Sequence, residues 1–251
     1  MGAQCPECIR EASASQKIRH RETRKAQGRS TAPLWLRRFL GRPSAVTLSI
    51  IALTTVVGVL QIFAYGPVTN ALGYFTPLVL LEPWRIVTAA LLHGGIIHFL
   101  FNMYALYLLG PALEERLGRI PFLVSYLVLA AAGSAAVTIL APTSFVIGAS
   151  GAIFGLFGLY LGLQGSFGRI DPQLLIIVGL NLVIGFTIAN VSWQAHVGGL
   201  VVGVLIGFIV GRREKRAVRA GTKPTAVIWG SIGLGALVTA AAFAFGISRL
   251  L

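Results

Sequence analysis

The sequence predicts an all-α polytopic membrane protein, and three observations predict it. Hydrophobic residues make up 55% of the 251-residue chain and charged residues only 12%, outside the usual range of soluble globular domains. Seven apolar runs, judged against the roughly 20 residues needed to cross a bilayer core, follow one another between polar or basic segments. Glycines recur at four-residue spacing in two of these runs, a pattern that lets helix backbones approach closely in lipid. The formal charge of +13 does not point to nucleic acid, because Lys and Arg lie between the apolar runs instead of along one soluble face.

Residues 1–44 read as a basic tail. Cys5 and Cys8, spaced Cys-Pro-Glu-Cys, are half of a tetrahedral zinc site; His20 is the one further ligand candidate nearby, and reduced thiols are the alternative. The polar stretch carrying Lys17, Arg19, Arg21, Arg24, Lys25 and Arg29 is too long, and the apolar run behind it too full a span, for a cleavable signal peptide. Trp35 to Leu40, with Arg37 and Arg38, suits an interfacial helix against anionic headgroups.

The seven spans are expected at residues 45–65, 96–113, 120–140, 150–164, 172–189, 194–211 and 225–247. A core unit therefore covers 45–211, and 212–251 comprises a basic loop and the seventh span. The fourth span is short and glycine-rich, which is tolerable only where protein surrounds it, so it belongs at the centre of the bundle. Gly199, Gly203, Gly207 and Gly211 on the sixth span and Gly151, Gly155, Gly158 and Gly162 on the fourth place these two in contact. With the N-terminus cytoplasmic, 19 of the 21 Lys and Arg fall on the inside, leaving Arg85 and Arg249 outside. The second, fourth and sixth spans then begin on the extracytoplasmic side. No acidic residue is expected inside a span, and Glu82 is the one acid on the outer side.

Three polar islands lie at those beginnings: His98-xxx-Asn102, Gly148-Ala149-Ser150-Gly151 and Ala195-His196-Val197-Gly198-Gly199. A serine hydroxyl is a weak nucleophile until a base within hydrogen-bond reach removes its proton, and His196 is the base that span parity brings to Ser150. With Glu82 the only outer acid, no orienting carboxylate is available to complete a triad; the pair is a Ser-His dyad, and Phe154 is placed to pack on the imidazole in place of a carboxylate. His98 and Asn102 share one helix face, and with the Ser150 N–H they supply donors for an oxyanion. His93 reads as a loop residue near the membrane surface.

These motifs, together with Trp84-Arg85 in the first outer loop, closely resemble the rhomboid intramembrane serine proteases over roughly residues 45–211. The resemblance implies a six-helix core to which the seventh span is added, Ser150 as nucleophile, His196 as general base, and an oxyanion hole of His98, Asn102 and the Ser150 N–H. It gives Gly148, Gly151, Phe154, Gly199, Trp84 and Arg85 supporting roles, with Trp84-Arg85 in a loop lying partly in the outer leaflet. Val191 stands where many members have glycine, and Phe154 where some have tyrosine. The stretch from Gln4 to Arg10 is similar to the tail of a small zinc-binding module that precedes the membrane domain in some relatives, which implies a longer parent protein.

The activity implied is hydrolysis of a peptide bond in or near a substrate's transmembrane helix, with transmembrane proteins and the bilayer as partners, no catalytic cofactor and no nucleic acid. A bacterial plasma membrane is the expected location. The rival reading is a catalytically silent rhomboid-like protein that binds transmembrane clients for quality control, although both dyad members are present. A proton-relay transporter would want acidic residues within the spans, and a membrane metalloprotease a His-Glu-x-x-His helix, which is absent.

Overall fold

A computed structural model describes residues 44–168, 170–187, 191–220 and 225–250. Cys5, Cys8, the Trp35 to Leu40 segment, Arg169 and Lys223 lie outside the described residues. Among the described residues seven long helices carry the architecture: α1 (Ala45–Phe63), α4 (Ile96–Leu117), α5 (Arg119–Leu140), α6 (Ser150–Ser166), α7 (Pro172–Thr187), α8 (Trp193–Arg219) and α9 (Thr225–Ser248). Between α1 and α4 the chain forms two short helices, α2 (Tyr65–Leu72) and α3 (Arg85–Thr88). Five of the long helices are long and apolar enough to cross a membrane, while α6 and α7, of 17 and 16 residues, are shorter.

The short α6 sits in the middle, as a helix without a lipid-facing stripe must. Leu156, Leu159 and Leu163 are fully buried in one core with Phe122 and Leu129 of α5, Leu106 and Leu113 of α4, and Ile206 of α8. Its contact with α8 is backbone on backbone. A Cβ added at Gly199, Gly203 or Gly207 would stand 2.0 Å from the carbonyl oxygen of Gly151, Gly155 or Leu159. In the other direction, a Cβ at Gly158 or Gly162 would stand 2.3 Å from the carbonyl oxygen of Leu200 or Val204. Gly155 instead makes room for Leu129 on α5. By contrast α7 touches the bundle through Leu174 and Val178 and exposes Leu175, Ile176, Leu180 and Val183, which suits a lipid-facing position.

Helix ends depart from hydropathy in two places. The second span does not stop at Leu113: α4 continues through Glu114, Glu115 and Arg116 until Gly118, whose φ of +87° and ψ of 158° suit glycine alone. Glu114 is therefore inside a helix and 1% exposed, correcting the expectation that no acid enters a span. Its carboxylate accepts hydrogen bonds from Val46 N (2.9 Å), Thr47 N (2.8 Å) and Thr47 Oγ1 (2.8 Å), capping the free N–H groups that begin α1. Glu114→Ala leaves those donors buried without partners, so its thermal stability in detergent is expected to fall by roughly 2–3 kcal/mol. A melting midpoint unchanged from the parent would show that water replaces the carboxylate. Likewise α8 does not end at Gly211. No helix breaker follows before Gly221, so residues 212–219 extend it as a basic helical arm instead of a loop. On that arm Glu214 pairs with Arg116 at 2.9 Å, which puts the basic ends of α4 and α8 side by side, away from Ser150.

The connection from α1 to α4 is folded against the bundle. Tyr74–Phe75 (β1) pairs antiparallel with Phe145–Val146 (β2), in register Tyr74 to Val146. Arg85, 5% exposed, donates to the carbonyls of Asn70 (2.5 Å) and Gly73 (2.7 Å) and is ion-paired with Glu82, while Thr88 Oγ1 donates to Leu72 O (2.8 Å). Ser134 Oγ of α5 holds the far side by donating to Ile86 O (2.9 Å).

Candidate active site

The turn that delivers Ser150 is built by glycine and tied down by its neighbour loop. Gly148 has φ +131°, a conformation side chains rarely adopt, and a Cβ there would stand 2.9 Å from His98 Cε1. Its N–H donates to Ala89 O at 2.9 Å, so the loop after α3 fixes the turn. Ala149 is fully buried beneath it, and Ser150 opens α6.

Opposite stands His196 on the first turns of α8. Its Nε2 lies 2.8 Å from Ser150 Oγ, the geometry of a nucleophile and its base, and the residue is 5% exposed. The ring stacks on Phe154 with centroids 4.2 Å apart and planes 11° from parallel. Among the described residues the other ring nitrogen, Nδ1, has no hydrogen-bond partner; it faces Gly185 of α7, where an added Cβ would stand 3.1 Å away. Orientation of the imidazole therefore comes from the aromatic face and from the helix that carries it. Gly199, three residues on, and Gly151, beside Ser150, are the paired glycines that let these two helix ends meet.

Ser150 and His98 line one cavity of about 340 Å³, closed by Gly133 and Ser134 of α5, Ile147 and Val191. The His98 ring packs against Gly148 from α4, across the cavity mouth. Asn102 is one turn further in and 6% exposed, and its Nδ2 donates to His98 O at 2.8 Å along its own helix. The structure thus brings Ser150, His196 and His98 together and leaves Asn102 turned toward its own backbone, with one amide N–H still available. Trp84 and Arg85 are away from the cavity. Trp84 is half exposed and donates from Nε1 to Ala71 O (3.2 Å), and Arg85 is the clamp of the folded loop.

Two participants were misjudged or missed in the sequence. His93 lies in a loop, as expected, but its burial was not foreseen: it is 5% exposed, with its ring edge-on to His98 at 5.0 Å between centroids. Its main chain is gripped by Gln61 of α1, whose Oε1 accepts from His93 N (3.0 Å) and whose Nε2 donates to His93 O (3.4 Å). A polar residue amid the apolar first span was the available signal.

The Rhomboid domain family model matches residues 80–213, more than half of the chain. The chain is 36% identical over 141 residues to the rhomboid-family protein YdcA of Bacillus subtilis (strain 168), covering 54% of this chain and 71% of that protein. It is 37% identical over 135 residues to "Rhomboid protease GluP" of the same organism, covering 52% of this chain and 26% of that one. It is also 37% identical over 136 residues to "RHOMBOID-like protein 6, mitochondrial" of Arabidopsis thaliana, covering 51% of this chain and 44% of that one. The chain thus spans less than half the length of the last two relatives. The extent of the family match and the seven-helix architecture lead to one conclusion: this chain is a multi-pass integral membrane protein of the rhomboid family.

Proposed function

We propose that this chain is an intramembrane serine endopeptidase that cuts a peptide bond in or near the transmembrane helix of another membrane protein. The observation that carries the reading is the 2.8 Å contact between His196 Nε2 and the Oγ of Ser150, a residue that lines the cavity. In this reading Oγ attacks the substrate carbonyl carbon while Nε2 takes its proton. The tetrahedral oxyanion is met by the Ser150 N–H and by His98, and by Asn102 once its amide turns from His98 O. Collapse expels the amine, which receives the proton from His196, and leaves an ester on Ser150. Water activated by the same imidazole then hydrolyses the ester and restores the hydroxyl. A helical substrate hides its carbonyls, so weak helix formers such as Gly and Pro near the scissile bond favour the local unwinding required.

The basic tail, Arg116, Arg119 and the basic arm after Gly211 favour a cytoplasmic N-terminus, with the Ser150 cavity opening to the extracytoplasmic side of a bacterial plasma membrane. The test is the intact chain in liposomes with a reporter protein carrying a Gly-containing transmembrane helix, beside a fluorophosphonate probe for Ser150. Cleavage near the outer boundary and labelling of Ser150 are expected; a chain that neither cuts nor takes the probe is not a protease. In the same assay Phe154→Ala is expected to lower kcat roughly 2- to 10-fold with KM little changed, because it removes the ring that orients His196. Phe154→Tyr keeps that face and should retain the rate.

A further inference from the structure

A groove of about 350 Å³, separate from the Ser150 cavity, opens between α1 and the start of α4. Its walls include Gly58, Val59 and Ile62 of α1, Tyr65 of α2, and Ile96 and Phe99 of α4, and among the described residues no charged side chain lines it. Gly94 is the one lining residue it shares with the Ser150 cavity. The groove has two buried polar residues. Gln61 is engaged, donating to Thr69 Oγ1 (3.0 Å) and His93 O and accepting from His93 N. His93 is not: it is 5% exposed, and among the described residues neither ring nitrogen has a hydrogen-bond partner. Burial, with His98 beside it, pushes the His93 pKa down to about 3, so the ring is neutral and offers one donor and one acceptor. Buried polar atoms without partners are uncommon in folded proteins and mark a place where a partner is missing.

The rim identifies the partner. Ile62, Tyr65 and Ile96 are exposed by 76%, 55% and 65%, and the groove lies between two helices that cross the membrane. Tyrosine at the end of a span sits at the headgroup boundary, which places the groove where acyl chains meet glycerol esters. An apolar trough without charge, ending on a neutral imidazole, matches an acyl chain and its ester group. It offers nothing to an anionic headgroup or a charged peptide. We propose that the groove between α1 and α4 binds one acyl chain of a glycerophospholipid, with its ester group at His93.

The experiment uses the intact chain in phosphatidylethanolamine and phosphatidylglycerol vesicles doped with a phosphatidylglycerol carrying a photoreactive diazirine on its acyl chain. Crosslinks are mapped by mass spectrometry. Labelling of residues 58–65 and 93–99 is expected to exceed that at Leu180 and Leu237, exposed positions on α7 and α9, by about tenfold, the ratio of a modest site preference. A Cβ at Gly58 meets only the Phe99 ring, at 3.8 Å, so Gly58→Trp fills the groove without prying the helices apart and should reduce groove labelling to the Leu180 level. His93→Phe preserves the shape, removes both nitrogens and should lower groove labelling severalfold; it decides the matter alone if Gly58→Trp folds poorly. Equal labelling at groove and Leu180, or labelling indifferent to both variants, leaves only annular lipid and overturns the proposal. Displacement of the label by a transmembrane reporter peptide would overturn it too, making the groove a seat for protein.

Discussion

Ser150→Ala is expected to reduce reporter cleavage in liposomes on the order of 10⁴-fold or more, and His196→Ala to do the same. The double variant should lose no more than either single one. That non-additivity is the sharper part of the prediction, because a nucleophile and its base act on one proton and neither works without the other. A hydrogen bond that merely fastened α6 to α8 would behave differently: its loss would lower the melting midpoint and leave cleavage in proportion to the folded fraction. Both readouts belong in the measurement. Ser150→Ala deletes one hydroxyl at the edge of a cavity, so a well-folded but silent protein is expected; cleavage within about tenfold of the parent would place the chemistry elsewhere.

The same geometry says what no substitution should rescue. His196 Nδ1 faces Gly185 and has no hydrogen-bond partner among the described residues, so none of these offers a carboxylate whose removal would separate a third catalytic role from the dyad. The stack on Phe154 holds the ring by shape instead of charge. A base oriented in this way depends on where α8 lies against α6, and catalysis therefore inherits the tolerances of helix packing.

Much of this was legible in the chain, for identifiable reasons. The succession of seven long helices and the centrality of α6 follow from hydropathy and glycine spacing, and the meeting of Ser150 with His196 from span parity plus the glycines that join their helices. The folded loop before α4 was not legible. It is held by Arg85 donating to backbone carbonyls 12 and 15 residues away and by strands of two residues, which carry no periodic signal. Glu114 was misplaced because hydropathy falls one turn before the helix does, and only Gly118 ends it. Gln61 and His93 are 32 residues apart and pair through a main chain, which leaves no trace in side-chain pattern. Asn102 shares a face with His98 as its spacing requires, but spacing does not say that its amide bonds the preceding turn.

The second large effect is expected at the glycines. At Gly199 any side chain puts its Cβ 2.0 Å from Gly151 O, and at Gly203 the same distance from Gly155 O. These obstacles are backbone atoms of a helix buried on all sides, so no rotamer change relieves them and α8 must move off α6. Overpacking of this kind typically costs about 1–3 kcal/mol, and more where the surroundings cannot yield. At Gly199 the displaced residue three positions earlier is His196. A shift of about 1 Å there breaks the reach to Ser150 Oγ, so Gly199→Ala should lower kcat on the order of 10²-fold even where the protein remains folded. Gly203→Ala, further along the seam, should show chiefly as a lowered melting midpoint. Gly211→Ala meets the Ser166 hydroxyl, which can rotate away, and Ser166 Cβ at 2.8 Å, which cannot, so a smaller loss of stability than at Gly203 is expected; Gly179→Ala on the lipid-facing α7 meets nothing within 4 Å and should be mild. The order Gly199, then Gly203, then Gly211 and Gly179 is what a backbone seam carrying the base at one end requires. Equal effects at all four positions would mean that glycine is present for flexibility and not for close approach.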